Sequence, residues 1–208
     1  MENVKNFSTH DNGRTLEVVK STMNELGYSF NAKVLNAADY GVPQKRERTY
    51  MVCFRNDIDS SKFNFPDAIP LKRYVRDVLS QESECERLFT DRTDIILDND
   101  KMNASSVTSP IRIGKVGKGG QGERIYSIDG LATTLTAYGG GQFAKTNGYL
   151  IDGKVRRLIP RECARLMGFP DNYVINPSVT AAYRQFGNSV VVDVLQYIAK
   201  NITKVNLK

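Results

Sequence analysis

The stretch Gln44-Lys45-Arg46-Glu47-Arg48-Thr49-Tyr50-Met51-Val52-Cys53-Phe54 passes from alternating polar residues into a run of apolar ones. Such a run is the signature of a buried strand. The spacing of two places Gln44, Arg46 and Arg48 on one face of the extended chain leading into it. Upstream, Tyr28 to Ala37 alternates, with Tyr28, Phe30, Ala32 and Val34 on one parity, which predicts a second strand. Before that, Leu16, Val18, Val19, Met23 and Leu26 recur near helical spacing, so 15–26 reads as a helix stopped by Gly27. Helix, strand, turn, strand is the end of an α/β sheet.

Downstream the character changes. From about 80 to 155, Gly, Ser, Thr and Asn abound, broken by β-like runs at Arg124 to Ile128 and Leu131 to Ala137, which predicts a separate, loop-rich β lobe. Pro160 opens a compact helix, Arg161 to Met167, closed by Gly168. Val190, Val191, Val194, Leu195, Ile198, Ala199 and Ile202 then form an amphipathic pattern, with Asn188 or Ser189 as the expected N-cap.

With 208 residues, 40% of them hydrophobic, the chain can bury a sizeable core. No apolar run approaches the ~18 residues that cross a bilayer, and residues 1–20 are too polar for a signal peptide, so a cytoplasmic protein without a membrane partner is expected. The three cysteines, Cys53, Cys85 and Cys163, lie at unrelated spacings that suit neither a disulfide framework nor a metal site, and no metal is expected. The net charge of +6 is unevenly spread: Asp77 to Asp100 carries eight acidic and two basic residues, Lys101 to Arg165 eleven basic and four acidic ones. The second segment is the footprint of a polyanion-facing surface or of a solvated basic loop region.

Nucleophile searches mostly fail. His10, the only histidine, sits among Ser8, Asp11 and Asn12 in a polar loop, and Cys53 and Cys163 read as small packing residues. Gly117, Gly119 and Gly122 satisfy G-x-G-x-x-G, but a strand pattern rather than a helix follows them, and Gly119 after Lys118 excludes a Walker loop. What remains at Lys115 to Arg124 is a loop able to press its backbone into a groove and aim Gln121 and Arg124 at base edges. Arginines at the mouth of a sheet, as at 46 and 48, suit a carbonyl or phosphate oxygen, or a structural ion pair with Glu47 or another acid.

Five motifs occur in one order: Glu2-Asn3-Val4; Gln44-x-Arg46-x-Arg48; Thr134-Leu135 ahead of Tyr138-Gly139-Gly140-Gly141; Arg161-Glu162-x-x-Arg165-Leu166-Met167-Gly168-Phe169-Pro170; and Gln185-Phe186-Gly187-Asn188-Ser189-Val190. In this the chain resembles the C-terminal portion of the DNA (cytosine-5) methyltransferases found in restriction-modification systems. The resemblance implies an α/β fold: the C-terminal part of an S-adenosylmethionine-dependent methyltransferase sheet domain plus a smaller β-rich target recognition lobe. It implies a catalytic part at 1–76, a target recognition domain at 77–160, and a connecting helix with a helix returning to the catalytic domain at 161–208.

The resemblance also implies a chemistry. A cytosine swings out of the duplex, a thiolate adds to C6, C5 takes a methyl group from S-adenosylmethionine, and the C5 proton then leaves. Glu2 would relieve ring charge at N3 with a proton held near neutrality, Arg48 would hold O2, and Asn3 and Arg46 would brace the catalytic pocket. Asn188 and Ser189 would close the cofactor pocket. Lys115, Lys118, Gln121, Arg124, Thr134, Tyr138 and Gly141 would meet double-stranded DNA. Gln121 would fill the gap left by the base and Arg124 would read guanine, in a stretch that resembles a recognition loop for GCGC. The family's Pro-Cys nucleophile and cofactor glycine loop have no counterpart, since Val52, Glu84 and Glu162 precede the cysteines. The expectation is therefore a portion inactive until a separate N-terminal methyltransferase subunit joins it. The other reading is a DNA-binding remnant or truncated product without catalysis.

Overall fold

The computed structural model describes residues 1–69, 72–81 and 89–205. Cys85, with Glu82, Glu84, Glu86 and Arg87 of the acidic stretch, lies outside the described residues. The chain is α/β, with two sheets among the described residues. The first is formed by β1 (Glu2–Val4), β2 (Tyr28–Asn36) and β3 (Glu47–Arg55) in the order β1-β3-β2, both pairings antiparallel. Helix α1 (Arg14–Glu25) precedes β2.

As the central strand, β3 buries Tyr50, Met51 and Phe54. The edge strand β2 does not follow the alternation read from the sequence: Tyr28 and Phe30 are half-buried, Ala32 is exposed, and the buried residue is Leu35 of the other parity. The reason lies in α1, which has no buried residue and leaves Val18 and Leu26 exposed, so that face of β2 receives little cover.

The second sheet runs β4 (Ile96–Leu97), β5 (Arg112–Lys115), β6 (Arg124–Ser127), β7 (Gly148–Ile151) and β8 (Lys154–Arg157) in sequence order. Its β6–β7 pair is parallel and the others antiparallel. Leu131 to Ala137 is extended but forms no strand. Its backbone bonds go to scattered partners: Ala132 N to Pro43 O at 2.7 Å, Thr133 N to the Tyr149 hydroxyl at 3.3 Å, Leu135 N to Gln44 Oε1 at 3.2 Å and Thr136 N to Lys145 O at 3.0 Å. This segment runs between the two sheets as a tie, not as a member of either.

Three helices complete the chain: α2 (Pro160–Leu166), α3 (Val179–Asn188) and α4 (Val192–Ile202). One continuous core joins Leu35 and Tyr50 of the first sheet, Tyr126 and Tyr149 of the second, and Leu166, Phe186, Val194 and Ile198 of the helices. A smaller cluster of Ile113, Val116, Ile125, Phe143 and Val155 belongs to the second sheet alone.

The expected cap of the last helix is corrected. Asn188 ends α3, Ser189 follows it, and α4 starts at Val192 without a side-chain cap. The Ser189 hydroxyl is spent as a donor to Val190 O at 3.2 Å, so it caps nothing. Among the described residues no helix is long and apolar enough to cross a membrane, and no cluster of His, Cys, Asp and Glu could hold a metal ion.

Candidate functional site

Pairing of β1 with β3 sets Glu2 opposite Tyr50 and Val4 opposite Arg48. Glu2 and Arg48 are therefore diagonal neighbours on one face, within reach for long side chains. Arg48 Nε lies 3.1 Å from Glu2 Oε1, at ion-pair distance, with the side chains 16% and 22% exposed. The approach is off the hydrogen-bond direction, so Oε1 is enclosed without a donor. Arg48 Nη1 donates to Glu47 O at 2.8 Å. Asn3 Oδ1 accepts from Val4 N at 2.8 Å, which shapes the chain leaving β1.

This pair stands on a wall between two hollows. An apolar cleft of about 760 Å³ lies against β3 and is lined by Glu2, Tyr50, Cys53, Val190, Leu195 and Ile198, among others. A second hollow, a groove of about 310 Å³, is lined by Lys5, Lys45, Glu47, Arg48, Pro110 and Thr134 and carries three cationic side chains against one carboxylate. Burial pushes the Tyr50 phenol up to about 12, with the Glu2 charge adding to the effect. Desolvation likewise raises both the Cys53 and Cys163 thiols, which removes them as thiolates near neutrality.

Gln44 and Arg46, expected beside Arg48 on one binding face, are instead consumed inside the molecule. Gln44 is fully buried and donates to Leu166 O at 2.8 Å. Arg46, 3% exposed, donates from Nη1 to Leu135 O at 3.0 Å and from Nη2 to Gly187 O at 3.1 Å and Ser189 O at 2.7 Å. Burial, with the nearby Arg48 charge, lowers its guanidinium to about 10 while Glu2 opposes the shift. Arg46 lines neither the apolar cleft nor the cationic groove; it braces from behind. Asn188 is exposed at the end of α3, two residues ahead of the cleft-lining Val190.

On the second sheet two glycine-containing loops interlock. Gly122 has φ +80°, and a Cβ there would run into Gly140 O. Gly122 O accepts from Phe143 N at 2.7 Å, and Gly122 N donates to Asn147 Oδ1 at 3.2 Å. Gln121, Thr134, Gly140 and Lys145 thereby line one small hollow of about 20 Å³. Lys118, Gln121, Arg124, Tyr138 and Gly141 are exposed, and Lys115 is half-buried at the end of β5. Thr134 belongs to both hollows, and its hydroxyl donates to Lys45 O at 2.7 Å.

The positive charge read in Lys101 to Arg165 does not all face outward. Arg156 and Glu162 form a buried two-pronged ion pair with both bonds at 2.8 Å. Arg165 binds Asp171 together with Val78 O and Leu79 O. The sequence offered one signal for this hub that was not used: Glu162 follows Pro160 at the third helical position, where a carboxylate accepts from the helix entry, here Ile159 N at 2.8 Å.

The fold has counterparts among solved structures. The crystal structure of S. pombe Dnmt2 methyltransferase superposes with a TM-score of 0.67 at 19% identity, covering 98% of this chain and 63% of that one. The Entamoeba histolytica methyltransferase EhMeth superposes with 0.65 at 16%, covering 98% and 61%. The family model for C-5 cytosine-specific DNA methylase matches residues 1–204, and the chain belongs to that family. Type II methyltransferase M.HhaI of Haemophilus parahaemolyticus is 62% identical over 202 residues, 97% of this chain and 62% of that protein. M1.ScrFI of Lactococcus lactis subsp. cremoris is 36% identical over 211 residues, 99% of this chain and 51% of that protein. The chain thus spans about half to three-fifths of the length of these relatives.

Proposed function

We propose that the chain is the C-terminal portion of a DNA (cytosine-5) methyltransferase, with its target recognition lobe at 77–160 and its catalytic part at 1–76 and 161–208. It would serve transfer of a methyl group from S-adenosylmethionine to C5 of a cytosine flipped from duplex DNA, within GCGC. The observation that carries this reading is the Glu2–Arg48 pair on the wall between an apolar cleft and a cationic groove.

Addition at C6 builds negative charge on the pyrimidine ring, and a proton shared between Glu2 and N3 disperses it. Glu2 lines the apolar cleft, where its carboxyl can meet the N3 edge of an entering base. Arg48 brings guanidinium donors to the adjacent O2. S-adenosylmethionine, when bound, supplies an electrophilic methyl group. The exposed amide of Asn188, with Ser189 and the apolar wall of Tyr50, Val190 and Leu195, fits one side of a site for it. The nucleophilic thiolate and the remaining cofactor contacts would come from an N-terminal methyltransferase part, because these 208 residues hold no Pro-Cys pair. Alone, the chain would transfer no methyl group.

Arg124 can donate two parallel bonds to guanine, and Gln121 can offer donor and acceptor to an orphaned base. The test is methylation of GCGC and GGCC duplexes by the chain complemented with an N-terminal part. Wild type should modify GCGC alone, and Arg124→Ala should lose about 5- to 150-fold, the worth of a two-pronged base contact. Equal modification of both duplexes by wild type would overturn the specificity, and an indifferent Arg124→Ala would overturn the role.

A further inference from the structure

The segment 133–137 reaches the DNA-facing hollows through Thr134 and Thr136, and the turn 187–190 reaches the apolar cleft through Val190. They are more than fifty residues apart in sequence, yet they touch backbone to backbone. Gly187 backs directly onto Thr136 and Ala137: a Cβ at 187 would overlap the carbonyl carbon of Thr136 and the amide nitrogen of Ala137. Arg46 bonds both sides of this contact at once, Leu135 O at 3.0 Å on one and Gly187 O and Ser189 O at 3.1 and 2.7 Å on the other. Gln44 closes the frame, accepting from Leu135 N at 3.2 Å and donating to Leu166 O at 2.8 Å.

We propose that Arg46 and Gly187 are positioning residues that lock the DNA-facing segment 133–137 to the turn 187–190, so that the placement of one fixes the placement of the other. The inference rests on the proposed function for what each side binds; the lock itself stands on geometry alone. A planar guanidinium bonded to three carbonyls permits one register between the segments it joins, and a backbone contact that admits no side chain permits one separation. By linkage, whatever binds at either side then works on the other to the same extent. Arg46 is buried away from both cavities, so its effect on DNA binding has to pass through this lock.

Two measurements on the 208-residue chain separate the lock from its use. The first is hydrogen exchange without DNA. In Gly187→Ala the amides of Leu135 and Thr136, both hydrogen-bonded in the wild type, should lose protection, whereas Thr180→Ala, on an exposed position of the same helix, should not change them. Unchanged protection at 135–136 in Gly187→Ala would overturn the lock. The second is duplex affinity across a salt series. Gly187→Ala and the charge-conserving Arg46→Lys should each weaken binding about 2- to 30-fold, the range for substitutions that touch neither ligand, at an unchanged salt slope because no phosphate contact is removed. A variant that is folded, deprotected at 135–136 and unaltered in affinity would overturn the positioning role. A wild-type chain with no affinity for duplex would refute the functional reading and the positioning role, leaving the exchange result to judge the lock.

Discussion

Glu162 is fully buried and each of its oxygens accepts two bonds: Oε1 from Arg156 Nη2 at 2.8 Å and Ser80 N at 2.9 Å, Oε2 from Arg156 Nη1 and Ile159 N, both at 2.8 Å. Those donors come from β8, from the turn following Val75–Val78 and from the start of α2, so one carboxylate joins the second sheet to the helices. Glu162→Ala leaves the Arg156 charge buried without its carboxylate and strands two backbone N–H groups. Breaking a buried pair in this way costs on the order of 3–5 kcal/mol, roughly a third to a half of a typical folding free energy of about 10 kcal/mol. With a urea slope of about 2.5 kcal/mol per molar, the midpoint should fall by about 1–2 M. Replacing both partners, Arg156→Met with Glu162→Leu, should recover most of the loss, because the cost of desolvating two buried charges offsets much of their attraction. Equilibrium urea unfolding followed by circular dichroism measures both. A midpoint shift below about 0.3 M for Glu162→Ala, or a double variant weaker than the single one, would refute the reasoning.

Gly122→Ala forces a left-handed φ on a residue with a Cβ and drives apart the loops at 122 and 140, so duplex affinity should fall about 10-fold or more and the thermal midpoint by a few degrees; unchanged affinity in an anisotropy titration would contradict the role of the interlocked loops. Replacing Lys115 and Lys118 by Ala should weaken binding to all duplex sequences alike and reduce the slope of log K against log salt by about 2, and a sequence-selective loss would contradict a backbone role. Burial raises the Asp193 carboxyl above its ordinary 3.8. The folded state then binds the proton more tightly than the unfolded one, and the stability this contributes is present below 3.8 and lost as pH rises through the higher folded value. Asp193→Asn should therefore gain on wild type in thermal midpoint as pH rises above 3.8, and a difference that is constant or shrinks would contradict the sign.

Elements whose signal is local were legible: the helix before Gly27, the apolar run of β3, the short helix after Pro160 and the amphipathic α4 each announce themselves within about a dozen residues. Helix α3 was not read, although Ser178 caps it by accepting from Ala181 N at 3.4 Å and Ala182, Tyr183 and Phe186 form its buried stripe; Gly187 near its end masks the pattern. Strand β1 is three residues long and gains its identity only from β3. In the candidate site, the period of two grouped Gln44, Arg46 and Arg48 on one face, but periodicity cannot say which members are covered. Cover at Gln44 and Arg46 comes from Leu135, Leu166 and Gly187, at separations of 89 to 141 residues, and no window along the chain contains that information. The charge of Lys101 to Arg165 differs: part of it is neutralised by Glu162 and Asp171, each six residues from its arginine, so that pairing lies within a local window.

The central claim is that this chain brings the base-holding and DNA-reading half of a cytosine-5 methyl transfer. The most direct test incubates GCGC duplex and methyl-labelled S-adenosylmethionine with the chain, with an N-terminal part bearing the cofactor loop and Pro-Cys pair, and with both together. Label should appear on cytosine C5 only when both are present, and should be lost when Glu2→Gln replaces the acid facing Arg48. Label transferred by the purified chain alone, or full transfer by the Glu2→Gln pair, would contradict it.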